Sequence, residues 1–71
     1  MTMHEDEENI FLRLEPRDID VVNKIMEGYD GLGIVSTLNC HEGLIVIRVT
    51  PDTREDVLGI VQSFPVKFEF V

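Results

Sequence analysis

The 71-residue chain has no tryptophan, one tyrosine, one cysteine and six lysines and arginines against fourteen aspartates and glutamates. Each scarcity excludes something. With Cys40 as the single thiol, no disulfide can close within the chain. A domain this short, which removes only about 60% of its extended-chain surface from water, needs its core or an oligomer for stability. One thiol and no secretory leader point to a reducing, cytoplasmic setting. Few bases and a net charge of -8 argue against nonspecific nucleic-acid binding, where phosphate neutralisation dominates affinity, and against docking on an anionic membrane. No apolar run approaches the roughly 20 residues that span a bilayer, because Arg48 interrupts the longest one. A soluble protein is expected.

The acidic surplus is uneven. Glu5, Asp6, Glu7 and Glu8 crowd the N-terminus, leaving ten acids against six bases from Ile10 onward. Residues 1–9 lack apolar periodicity and repel themselves, so they read as a disordered acidic tail before one domain over 10–71. His4 among those carboxylates could hold a metal only adventitiously, since nothing fixes their geometry.

What the chain does have is alternating apolar pattern. Gly31 to Thr50 reads as a β-hairpin, two runs rich in Ile, Val, Leu and Thr around a polar reversal, Asn39 to Gly43, whose Asn and Gly tolerate positive φ. The first arm, about Leu32 to Leu38, has no clean alternation, and its register stays open. The second, Leu44 to Thr50, is aliphatic on both faces, the pattern of a central strand. Ahead of the hairpin, Ile10, Leu12 and Leu14 alternate with Phe11, Arg13 and Glu15 in a strand. Pro16 then opens a helix with Ile19, Val22, Ile25, Met26 and Tyr29 on one stripe, closed by Gly28 and Gly31.

After the hairpin, Thr50-Pro51, or Asp52 with Glu55 one register later, starts a second helix. Val57, Ile60, Val61 and Phe64 form its stripe and Pro65 stops it. Gly59 within it costs about 1 kcal/mol relative to Ala and suggests close approach to a neighbour. Val66, Phe68 and Phe70 alternate with Lys67, Glu69 and Val71 in a closing strand. The order β, α, β, β, α, β with right-handed crossovers makes an α+β, ferredoxin-like sandwich. Its four-stranded antiparallel sheet has order 4-1-3-2 and both helices on one face.

No constellation here calls for catalysis. The glycines from Gly28 to Gly33 run from helix to strand, the reverse of a phosphate-binding loop, and read as a turn. Cys40, His41 and Glu42 are adjacent at the hairpin tip, where neighbours seldom converge on one point, so no nucleophile, base or metal set is assigned. The uncovered sheet face is more informative. It displays Phe11, Arg13 and Glu15, then Leu44, Val46 and Arg48, then Lys67 and Glu69. One aromatic beside Leu44 and Val46 suits a protein contact better than base stacking.

From Ile10 to Val71 the chain resembles a small bacterial family known only as a domain of unknown function. The resemblance is carried by Glu-Pro-Arg-Asp-Ile-Asp before the first helix and Glu-Gly-Tyr-Asp-Gly-Leu-Gly-Ile-Val-Ser-Thr-Leu before the hairpin. These motifs are turns, so the resemblance implies a fold and transfers no active site. The topology is also similar to that of ACT domains, which pair their sheets and bind amino acids at the interface. Glu15-Pro16-Arg17-Asp18 stands where those domains usually carry an Asp-x-x-Gly-type turn. Asp30, Gly31 and Gly33 form the alternative candidate ligand turn.

The expectation is a non-enzymatic module without a cofactor. It self-associates, as a homodimer, or binds a protein partner through Phe11, Arg13, Leu44, Val46 and Arg48 on the open face, or through the second-strand edge. A small-metabolite sensor is the alternative.

Overall fold

A computed structural model describes residues 7–29 and 31–71. In chain order it contains β1 (Asn9–Leu14), a 3-10 turn (Pro16–Asp18), α1 (Ile19–Glu27), β2 (Ile34–Asn39), β3 (Leu44–Arg48), α2 (Arg54–Gln62) and β4 (Phe68–Phe70). The strands form one antiparallel sheet in the order β2-β3-β1-β4. This is the expected order read from the opposite edge.

The two faces of β1 set the layers. Ile10, Leu12 and Leu14 are buried and register with Ile47, Ile45 and Phe68. On that face the sheet meets Val22 and Met26 of α1 and Val57 and Val61 of α2 in one cluster. The helix stripes are therefore explained by burial of regularly spaced aliphatics. Val46 is also buried yet stands outside that cluster.

Residues 1–6 of the expected tail lie outside the described residues. Asn9, placed in that tail, already pairs with Arg48, and the Val49 N–H donates to the Glu8 carbonyl at 2.9 Å. The sheet thus recruits the end of the acidic run, because β3 has backbone groups to satisfy there. Pro16 opens a 3-10 turn rather than α1 itself, with the Asp18 N–H donating to the Glu15 carbonyl at 2.8 Å. Tyr29, expected on the α1 stripe, lies past the helix end and is exposed.

Helix α2 begins at Arg54, and the turn leading into it is closed by a reciprocal threonine pair rather than by Asp52 and Glu55. The Thr50 N–H donates to Thr53 Oγ1 at 3.1 Å, and the Thr53 N–H to Thr50 Oγ1 at 3.3 Å. Threonine at the third position thus replaces the carboxylate of a capping box. Gly59 is not at a close approach, since a Cβ there would meet nothing within 4 Å.

Two glycines secure the hairpin. Gly31 has φ 87° and returns the chain from α1 to the sheet, and Gly43 has φ 71° at the hairpin reversal. Asn39 turns the chain without positive φ. Its Oδ1 accepts the N–H groups of His41 at 3.0 Å and Glu42 at 3.1 Å, an Asx arrangement that replaces backbone strain with hydrogen bonds. The reversal is tied to β1 by the Leu14 N–H, which donates to the Gly43 carbonyl at 2.9 Å.

Candidate functional site

The sheet face away from the helix cluster forms a short grid whose rows follow from strand register. Ile34, Arg48 and Asn9 form one row; Ser36, Val46 and Phe11 form the next; Asn39, Leu44, Arg13 and Glu69 form the third. Val71 extends the middle row, because its N–H donates to the Phe11 carbonyl at 3.1 Å. The middle row thus joins Val46 of β3 and Phe11 of β1 to Val71, with Ser36 at its β2 end, while Ile34 lies one row away beside Arg48.

Exposure refines the expected surface. Phe11 is 37% exposed, Ile34 68% and Val71 55%, whereas Val46 is only 2% exposed. Val46 cannot serve as a direct contact; it is a packed floor between Phe11 and Ser36. Leu44 is half-buried, and Arg13 and Arg48 are exposed. Ile34 and Val71 are the exposed aliphatic side chains on this face in place of Val46. Alternation already put Val71 on this side, but the register that brings Ile34 here was not readable.

The reason is a register shift between Thr37 and Asn39. Before it, Val35 and Thr37 face the helices while Ile34 and Ser36 face out. The shift disturbs the alternation that would have announced this. Leu38, beside the shift, is half exposed.

Arg13 is the best-connected charge on the face. Its guanidinium lies 3.8 Å from the Glu42 carboxylate and 3.5 Å from that of Glu69. These pairs bridge the hairpin tip, β1 and β4. At exposed positions such contacts contribute at most about 1 kcal/mol and serve orientation more than stability. Beside them a shallow depression of about 380 Å³ is lined by residues including Glu15, Lys67 and Phe68.

The alternative ligand turn falls elsewhere. Asp30 lies outside the described residues. Gly31 and Gly33 line a groove of about 420 Å³ between α1 and β2, with Asn23, Met26 and Glu27 on its other wall. A Cβ on Gly33 would stand 3.0 Å from the Ile47 side chain and 3.3 Å from both Met26 Cε and the Arg48 carbonyl. Packing alone thus accounts for glycine there. Cys40 and His41 are exposed at the hairpin tip. Among the described residues no group of three or more His, Cys, Asp or Glu side chains could hold a metal ion, and no helix is long and apolar enough to cross a membrane.

A four-stranded antiparallel sheet backed by two helices, with its second face open, defines a small α+β domain. Its open face carries the exposed apolar side chains of Phe11, Ile34 and Val71 among charged ones. The chain belongs to the family described as a domain of unknown function, DUF4911, whose model matches residues 12–67. No curated protein and no solved structure matches it.

Proposed function

We propose that this chain is a non-enzymatic, ferredoxin-like interaction module that engages a protein surface through its open sheet face. The observation that carries this reading is the set of exposed apolar side chains on that face. Phe11 and Val71 are exposed in the row of the buried Val46, Ile34 is exposed one row away, and Arg13, Arg48 and Glu69 stand among them. Apolar contact area with a polar surround is the anatomy of a recognition surface. A metabolite-sensor reading has only the α1–β2 groove in its favour, and its central glycine already has a packing role.

Site-specific photocrosslinking tests the proposal. A benzoylphenylalanine replacing Phe11 in the full chain, activated in cells, should give a discrete adduct, while the same probe at Glu55 on the exposed side of α2 should give none. Equal labelling from both positions, or no adduct from position 11, removes the open face as the interaction surface. The adduct mass reports what covers the face.

A further inference from the structure

We infer that the occupant of the open face is the same face of a second copy, the two sheets packing across a two-fold axis with Phe11 near the centre. This rests on the open face being an interaction surface and adds the identity of the partner.

Charge is the first argument. Each chain carries -8, so two copies repel over most approaches. The open face bears Arg13, Arg48 and Lys67 against Glu15, Glu42 and Glu69, an even balance. The helices and their leading turns bear Asp18, Asp20, Glu27, Asp52, Glu55 and Asp56 against Arg17, Lys24 and Arg54. Face-to-face contact therefore joins the surfaces from which the acidic surplus is missing. It also sends both acidic helix layers to the outside, where solvent and salt screen them.

Register is the second. If the two-fold runs along the strands between β3 and β1, Phe11 lies over Val46 of the second copy, Arg13 over its Leu44 and Arg48 over its Asn9. If it runs across the strands through the middle row, Phe11 meets Phe11, Arg13 meets Asn9 and Arg48 meets Leu44. Neither arrangement opposes two cations; the first seats Phe11 on Val46, and the second seats Phe11 and Val71 each on its own copy. The face is thus self-complementary in the sense that a two-fold contact requires, and twisted sheets pack face to face within about 30° of alignment.

Size is the third. The molecule's Cα atoms span 31 × 28 × 17 Å, so only contact across the whole of a broad side approaches the roughly 800 Å² per partner of a standard stable interface. A matching sheet covers that face edge to edge. A lone helix, about 10–12 Å across, leaves most of it wet.

The experiment is light scattering coupled to size exclusion on the full chain, from low to high micromolar concentration. The expected result is a mass of two chains at the upper end. Phe11→Glu, with the fold checked by circular dichroism, should weaken the dimer by about tenfold or more, and Glu55→Lys should leave it intact. If Phe11→Glu fails to fold, Val71→Lys, in the same row and exposed, replaces it. A mass of one chain throughout overturns the second-copy assignment. A crosslink from position 11 to some other chain would then still support the face reading. A dimer insensitive to both Phe11→Glu and Val71→Lys overturns this inference together with that reading.

Discussion

Gly43→Ala is expected to lower unfolding free energy by more than about 4 kcal/mol, enough to leave a domain of this length largely unfolded at room temperature. Two costs combine. The residue sits at φ 71°, a conformation that costs an L-residue about 1–2 kcal/mol. In addition, the new Cβ would overlap the Leu14 carbonyl. That obstacle is backbone in a central strand, so no side-chain rotation relieves it. The hairpin reversal would have to lift away from β1, breaking the bond from the Leu14 N–H to the Gly43 carbonyl. Gly59→Ala supplies the contrast. Its Cβ meets open space within α2, and the change should stabilise by about 0.5–1 kcal/mol. Urea denaturation of the three proteins checks both; a loss below about 1 kcal/mol at Gly43 would mean that the reversal does not rest on β1.

Leu12→Ala should cost about 2–5 kcal/mol, the largest effect expected from any truncation within β1. Leu12 has no exposed surface and stands in register between Ile45 and Phe70, so its removal leaves a void the sheet cannot collapse into. Arg13→Ala, one residue away on the other face, removes only the exposed pairs with Glu42 and Glu69 and should cost under about 1 kcal/mol. Thermal or urea unfolding of the pair is therefore a direct assay of which face carries the core. Similar losses at both positions would sink the two-face assignment.

Where strong alternation meets one-sided burial, the structure follows the sequence closely. Ile10, Leu12 and Leu14 are buried, as are Val57 and Val61, because spacings of two and of three to four leave few other ways to hide them; Phe64, expected on the α2 stripe, is buried from beyond the end of that helix. The strand order follows from connectivity and handedness. What was not legible depends on tertiary partners. Thr50 and Thr53 pair in the turn before α2 because their hydroxyls face each other; the sequence offers both Thr50-Pro51 and Asp52 with Glu55 as starts, and no local propensity chooses between them. Asn9 joins β1 because β3 offers it a partner, although its sequence neighbours are acidic.

The open face divides in the same way. Phe11, Arg13, Leu44 and Arg48 lie on it as strand parity predicts. Val46 has the right parity but is closed off at the sheet centre, a consequence of its central position rather than of its hydropathy. Ile34 was hidden by the register shift near Leu38, which interrupts alternation over half of a short strand.

That same strand bears on how the molecule behaves in crowded solution. β2 is an outer strand, and from Gly31 to Cys40 the chain carries no charged residue and no proline. Apart from the irregularity near Leu38, it lacks the devices that normally stop one sheet from extending into another. Face-to-face pairing would leave this margin bare. Mutual repulsion between acidic molecules is then the barrier to indefinite strand addition, and it vanishes as pH approaches the isoelectric point near 4.4. Acidification to that point should produce turbidity with thioflavin binding, and Ile34→Lys should suppress it; equal precipitation of parent and variant would clear β2 of responsibility. The acidic excess thus acts as a colloidal safeguard for an unguarded strand.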